Sequence, residues 1–163
     1  YKLCRIWFSD PRIKNLERFD NHDRTRHGDF GFTYRGVPIT VQAKSLQTTS
    51  IRTAEERHAG TFQCDASDRR PVSLPDGSTL ETTCLLVGGF DLLAVNLFAF
   101  SQQWRFAFAK NEDLPRSTFA RYTQYQRQHL LATSMRMTWP LQPPFRDEPF
   151  TLLDEIAKQN ARR

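Results

Sequence analysis

A carboxylate, an amide and an ammonium group are brought together in a β-hairpin that the sequence predicts over residues 29–46. Asp29 opens the alternating segment DFGFTY, and Gln42 and Lys44 lie two residues apart near the end of VPITVQAKSL. Apolar and polar residues alternate in both segments, as they do in strands with one apolar face. With Arg35-Gly36 as the turn, Asp29 lies opposite Gln42 on the face that carries Lys44, whereas a one-residue shift of the turn would separate them.

This trio suits the hydrolysis of a phosphodiester. The Asp29 carboxylate, the side-chain carbonyl of Gln42 and the backbone carbonyl of Ala43 are hard oxygen ligands of the kind that Mg²⁺ takes. The ion polarises a phosphate and lowers the pKa of a bound water, and Lys44 can hold that water or neutralise phosphate charge. The competing interpretation is a solvated strand face without a ligand.

An acid on the preceding element is a candidate for the same site. Asp10-Pro11 is typical of a helix start, and Ile13, Leu16 and Phe19 recur at helical spacing, which predicts a helix over residues 11–20. Glu17 lies on the flank of that helix, either as an exposed acid or as a metal ligand. A helix followed by a hairpin is the opening of an α+β domain.

The rest of the chain supplies the remaining elements of that domain. A mixed sheet of about five strands flanked by helices is expected. The predicted elements are a helix over 50–60 ended by Gly60, a hairpin over 70–86 around Pro75-Asp76-Gly77, a buried central strand over 90–100, a strand over 104–110, a helix from the Thr123/Gln126 capping box to Leu131, and a terminal helix over 150–163.

Composition narrows the class of protein. The chain has 163 residues and a formal charge of +5, with far more arginine than lysine. Its length fits a single domain over 1–163, as a whole protein or part of a longer chain, and the charge permits a nucleic-acid partner. No segment approaches the roughly 18 uncharged apolar residues of a membrane span, and no signal peptide is evident. Three widely spaced cysteines predict no disulfide framework and favour the cytoplasm.

Several polar residues around the hairpin are candidates for DNA contacts, since such side chains donate to phosphate oxygens. Arg24 and Arg26 precede Asp29, and Gln47 and Thr48 follow the second strand. Arg69-Arg70 ends the segment CDASDRR. Solvated loops and a turn with its own hydrogen bonds are the alternatives at all three places.

The segments GDF and QAK together resemble the PD-(D/E)XK, or restriction-endonuclease-like, nuclease superfamily. The resemblance implies a catalytic set of Asp29, Gln42, Lys44 and Glu17, and a metal set in which Ala43 replaces Lys44. It also implies Mg²⁺, with Mn²⁺ as a substitute, DNA as substrate and a homodimer. FDLLAVNLFAF and WRFAFAKNEDLPRS are similar to the strand pair that closes the sheet in many restriction endonucleases.

Two departures from the motif matter. Gly28 stands where the motif has proline, and Gln42 stands where an acid is more usual. The amide removes one negative charge from the metal site, so a further acid must complete it: Glu17, Asp20 or Asp23. The function expected is that of a restriction or defence endonuclease. A junction or repair nuclease, a non-catalytic nucleic-acid-binding subunit and an interaction domain of nuclease ancestry are the alternatives.

Overall fold

The computed structural model describes residues 1–19 and 27–162 of the chain. These residues contain a π-helix at Cys4–Phe8, 3₁₀ helices at Thr48–Ser50 and Asn111–Asp113, ten strands and three α-helices. The strands are β1 (Ile13–Arg18), β2 (Phe30–Tyr34), β3 (Val37–Ser45), β4 (Arg52–Ala54), β5 (Arg57–Gln63), β6 (Asp65–Ser73), β7 (Thr79–Cys84), β8 (Leu92–Asn96), β9 (Phe106–Lys110) and β10 (Ser134–Trp139). The helices are α1 (Phe98–Ser101), α2 (Gln124–His129) and α3 (Phe150–Asn160).

A five-stranded mixed sheet in the order β1-β2-β3-β8-β9 forms the centre of the described part of the chain. β3 and β8 run parallel, and the other neighbours are antiparallel. This confirms the predicted α+β class and the mixed sheet of about five strands. The predicted central strand is also confirmed, although it ends at Asn96 and the chain then turns through α1.

The β2–β3 hairpin has the predicted register. Tyr34 pairs with Val37, and Phe30 pairs with Val41. Arg35 and Gly36 both have positive φ, 50° and 77°, which is the backbone of a type I′ turn. Because this turn fixes the register, Ile39, Val41 and Ala43 of β3 face the same apolar core.

Two apolar cores lie on opposite faces of the five-stranded sheet. One core joins Phe32, Ile39 and Val41 to Leu153 and Ile156 of α3. The other core lies under Leu93 and Val95 of β8. It is covered by Phe62, Met135 and Met137, which belong to a second sheet with the strand order β10-β5-β4. β6 and β7 form a separate hairpin beside it.

The predicted helix over residues 11–20 is wrong. Its described residues contain β1, which pairs with β2, and Asp10 accepts hydrogen bonds from the Arg12 backbone and guanidinium rather than capping a helix. The register shifts between Lys14 and Glu17, and Asn15 has a φ of 54°. This β-bulge adds one residue, so the apolar spacing in the strand imitates that of a helix.

The predicted helix over residues 50–60 is also wrong. Those residues form β4, a turn at Glu55-Glu56 and the start of β5. Gly60 does not end a helix; it is buried within β5, where a Cβ atom would lie 2.7 Å from the Ile51 side chain. The pairing of β5 with β10, more than sixty residues away, outweighs local helix preference.

The remaining predicted elements are present with bounds that differ by a few residues. The hairpin around Pro75-Asp76-Gly77 is β6–β7, and the strand over 104–110 is β9. Thr123 and Gln126 form the predicted capping box, and the terminal helix is α3. No helix within residues 1–19 and 27–162 combines the length and apolar character needed to cross a membrane.

Candidate active site

Asp29 lies where β2 begins, and its carboxylate is held by two donors from β3. Oδ2 accepts a hydrogen bond from Nε2 of Gln42 at 2.6 Å and another from the backbone N–H of Ala43 at 2.7 Å. The predicted approach of Asp29 and Gln42 across the hairpin is therefore confirmed. Both of these donors are neutral groups of β3.

Gly28 makes this position possible. Its φ is +90°, and a Cβ atom there would lie 2.8 Å from the carbonyl oxygen of Val41. The close approach lets the Asp29 N–H donate to that same carbonyl at 2.7 Å. Proline, which the motif usually has here, fixes φ near −65° and would not fit this backbone. Glycine rather than proline at position 28 is thus required by the backbone conformation that positions Asp29.

Lys44 lies two residues beyond Gln42 on the same face of β3. Its Nζ donates to the backbone carbonyl of Asp65 at 2.8 Å, which joins the end of β3 to the start of β6. An ammonium group has three donors. Two remain for a ligand, because the described residues provide no other hydrogen-bond acceptor for Nζ.

A cleft of about 720 Å³ contains this group of side chains. Asp29, Gln42 and Lys44 line one wall, and the β6 residues Asp65 and Arg70 line the other. The cleft thus brings together the three residues predicted from the hairpin and adds one acid and one cation. It has room for a phosphate and the sugars beside it.

The oxygen atoms at and around Asp29 are suitable ligands for a hard divalent ion. In an antiparallel pair the N–H and C=O of one residue point to the same side. The Ala43 carbonyl therefore points to the side of β3 on which its N–H reaches Asp29. Within residues 1–19 and 27–162 no group of three or more His, Cys, Asp or Glu side chains is placed to hold a metal ion. The fit rests on mixed oxygen donors: the Asp29 carboxylate, the Gln42 amide and the Ala43 carbonyl.

Glu17 lies on β1, not on a helix. It pairs with Gly31 and therefore shares a sheet face with Asp29, two residues along β2. Diagonal neighbours of this kind are about 7–8 Å apart at their Cα atoms, within reach of a glutamate side chain. Glu17 is exposed. Asp20 and Asp23, the other acids considered, lie outside the described residues.

The structure separates the predicted DNA-contact residues into three groups. Arg24 and Arg26 lie outside the described residues. Arg70 lines the cleft, whereas Arg69 is exposed and donates to the Glu81 carbonyl. Thr48 is exposed, and Gln47 is half-buried beside β5.

Sequence reasoning missed the contribution of β6 to the cleft. Asp65 was within a segment interpreted for its arginines, and no periodicity placed it beside Lys44. Cys64 precedes it and is fully buried; burial raises the pKa of its thiol to about 11, against the opposing effect of Lys44. Cys64 is therefore a neutral core side chain near neutral pH and not a nucleophile.

No family model matches this chain. No curated protein matches its sequence. Among solved structures, the bacterial homing endonuclease I-Ssp6803I is similar, with a TM-score of 0.34 and 14% sequence identity. The match covers 70% of this chain and 73% of the endonuclease chain. Because the TM-score is low, we base the functional conclusion on the geometry of the cleft.

Proposed function

We propose that this protein is a Mg²⁺-dependent endonuclease of the PD-(D/E)XK type that hydrolyses DNA phosphodiester bonds. The observation that carries the proposal is the pair of short hydrogen bonds that hold the Asp29 carboxylate against Gln42 and Ala43. With Lys44 in the same cleft, the strand-borne acid, amide and ammonium of the motif share one concave surface.

Asp29, Gln42 and Ala43 would hold the metal ion, with Glu17 as a further ligand from β1. The bound ion supplies positive charge beside the scissile phosphate and makes an attacking water more acidic. Mn²⁺, which also accepts oxygen ligands, would substitute for Mg²⁺.

Lys44 would orient the attacking water and balance the charge that develops on the phosphate. Its ammonium is positioned by the Asp65 carbonyl, so it does not need to reorganise when the substrate arrives. Arg70, on the opposite wall, would bind a neighbouring phosphate, because its planar fork matches two phosphate oxygens.

A role in restriction or defence, a cytoplasmic location and a homodimer complete the proposal. A homodimer supplies two clefts, one for each strand of a duplex. Sedimentation with and without DNA measures the oligomeric state, and a monomer in both conditions would contradict this part of the proposal alone.

Plasmid cleavage tests the enzyme directly. The wild-type protein should cut in Mg²⁺ or Mn²⁺ and should not cut in EDTA. Lys44→Met and Asp29→Asn should each lower the rate by about 10²–10³, the loss typical of removing one positioned electrostatic group. Lys158→Met, at an exposed position on α3, is the matched control and should cut at the wild-type rate.

Two results would overturn the proposal: a wild-type protein that cuts in neither metal, or a Lys44→Met variant that cuts like the wild type. Duplex, four-way junction and damaged duplex substrates compared at equal concentration separate a restriction enzyme from a junction or repair nuclease. Discrete bands indicate sequence-specific cleavage, and a smear indicates cleavage without a fixed site.

A further inference from the structure

The outer face of the β10-β5-β4 sheet is polar and basic. The inner face carries Phe62, Met135 and Met137, which are buried in the core. The alternate residues therefore point outward. The outward residues are Arg52, Ala54, Arg57, Ala59, Thr61, Gln63, Ser134, Arg136 and Thr138.

The charge of this outer face is entirely positive. Arg52, Arg57 and Arg136 are exposed, and none of the three forms an ion pair with any residue in the described ranges. The three strands contain no acidic residue, although Glu55 and Glu56 occupy the turn at one end. Nη1 of Arg52 donates to the carbonyls of Thr49 and Ile51, which leaves its other N–H groups and its charge for a ligand. Three guanidinium groups on one sheet face match the phosphates of a nucleic acid.

The arginines flank a strip of short side chains. Ala59 on the central strand pairs with Arg52 on one side and Thr138 on the other, and Thr61 pairs with Arg136. The strands beside β5 are about 10 Å apart, since neighbouring strands are separated by about 4.8 Å. Arg52 and Arg136 can thus reach phosphates on either side of a groove, while the short residues let the duplex approach.

Gln47 lies beside Thr61 and extends the strip. Its Oε1 accepts a hydrogen bond from the Thr61 hydroxyl at 3.0 Å. This contact fixes the orientation of the amide and leaves its NH₂ group as a donor, with no acceptor among the described residues. An amide held in one orientation beside this strip and its flanking arginines is suited to donating to base edges or phosphates.

The strip is close to the cleft along the chain. β5 ends at Gln63, and Asp65 begins β6 with its carbonyl bonded to Lys44. Asp65 is four positions beyond Thr61, which is at most about 14 Å of extended chain. Thr61 therefore lies within the length of about four base pairs of Asp65, since duplex DNA rises about 3.4 Å per base pair.

We propose that the outer face of the β10-β5-β4 sheet binds double-stranded DNA beside the cleavage site. Arg52, Arg57 and Arg136 contact phosphates, and Gln47, held by Thr61, donates to the duplex. A duplex is favoured over a single strand because the outer face has no aromatic side chain on which bases can stack. The inference rests on the proposed nuclease function for its substrate, but DNA binding is measured separately from cleavage.

The test compares two triple variants that lose the same charge. In the first, Arg52, Arg57 and Arg136 are each changed to Gln. In the control, the exposed residues Arg5, Lys158 and Arg162 are changed to Gln. Arg5 lies on the π-helix, Lys158 on α3 and Arg162 just beyond α3, and both helices pack on the opposite face of the central sheet. Fluorescence anisotropy measures binding to a duplex of about 30 base pairs in EDTA, from about 50 to 200 mM salt.

The sheet variant should lose about tenfold or more in affinity, and its plot of log K against log salt should be shallower by about 2–3, because three phosphate contacts are removed. A third protein with Arg→Lys at the same positions should recover most of the affinity, and circular dichroism confirms that all variants fold. The control triple should remain closer to the wild type.

Equal affinity and equal salt dependence in the sheet variant and the control triple would overturn the inference, and so would a wild-type protein that binds no duplex. A wild-type protein that binds through the arginines but never cuts in Mg²⁺ would support the binding face and defeat the nuclease. Preferential binding of a single strand over the duplex would contradict the assignment of the substrate.

Discussion

At the scale of single residues, Gln42 has opposite effects on the stability of the hairpin and on the proposed metal site. Its amide donates to Asp29 and so stabilises the folded hairpin when no cation is present. The same amide removes a negative charge from the proposed metal site. A glutamate at this position would reverse both effects.

Gln42→Glu should be less stable than the wild type in EDTA and gain more from Mg²⁺. The substitution replaces a hydrogen bond to a charged group, about 1.5–3 kcal/mol, by a contact between two carboxylates. The melting temperature in EDTA should fall by roughly 3–10 °C for a chain of this size. Binding of Mg²⁺ to the folded state should then raise it by mass action.

Thermal melts at several Mg²⁺ concentrations measure this effect. Gln128→Glu, an exposed change of the same kind on α2, is the control and should show little dependence on Mg²⁺. Equal responses of the two variants to Mg²⁺ would show that Gln42 does not face the ion.

Gly28→Ala should destabilise the protein and also slow cleavage. The positive φ alone costs about 1–2 kcal/mol for an L-residue, and the new Cβ would press on the Val41 carbonyl. Gly36→Ala is the matched control, because Gly36 also has positive φ but its Cβ would meet no atom within 4 Å. Urea denaturation should show a greater loss at Gly28, and equal losses would contradict the close approach.

At the scale of elements, local signals predict the hairpins well and edge strands poorly. The Arg35-Gly36 turn and the alternation around it determine the β2–β3 register, which is why Asp29 and Gln42 could be placed together from sequence. β1 was misread because a bulge at Asn15 changed its spacing. β4 and β5 were misread because their partner, β10, lies far along the chain.

The capping box of α2 gives an element-scale prediction. Thr123 accepts from the Gln126 N–H at 3.1 Å, and the Gln126 side chain accepts from the Thr123 N–H at 2.9 Å. Thr123→Ala should cost about 0.5–2 kcal/mol in chemical denaturation. Thr118→Ala, at an exposed position before the helix, should cost much less; a similar loss would show that the cap contributes little.

At the scale of the whole molecule, two of the three cysteines are buried in different apolar clusters: Cys64 in the core under β8, and Cys84 in a smaller cluster with Val72, Leu74 and Leu130. Cys64 and Cys84 are buried, and Cys4 is half-buried. The pKa of the Cys64 thiol is raised by burial to about 11 from an ordinary 9.0, so the folded state disfavours its thiolate. Unfolding exposes the Cys64 thiol to water and so removes the cause of its raised pKa.

Stability should therefore fall as the pH rises from about 9 to 11, where the thiol ionises only in the unfolded chain. Relative to wild type, Cys64→Ala should show a weaker pH dependence in this window, measured by denaturation at each pH. At pH 8, a thiol reagent should modify Cys64 and Cys84 only as fast as the protein unfolds. Rapid modification of both cysteines in the folded protein would contradict their burial.

The residues of the candidate site, like the elements of the fold, divide into those that local sequence patterns predict and those that depend on long-range contacts. Asp29, Gln42 and Lys44 belong to one hairpin, so short-range rules could bring them together. Asp65 and Arg70 reach the cleft through contacts between β6 and the end of β3, and no local pattern encodes such contacts. The outer face of the β10-β5-β4 sheet could not be predicted for the same reason.

The backbone amide of Ala43 has a use that follows from its acceptor. Because its hydrogen bond ends on the Asp29 carboxylate, its ¹H–¹⁵N resonance in a magnetic-resonance spectrum reports the electronic state of that one group. In a titration with Mg²⁺ this resonance should shift at the first additions of the ion, and Asp29→Asn should abolish the shift. The Ala43 amide is thus one hydrogen bond from a proposed metal ligand, and its resonance can be followed without substrate or cleavage.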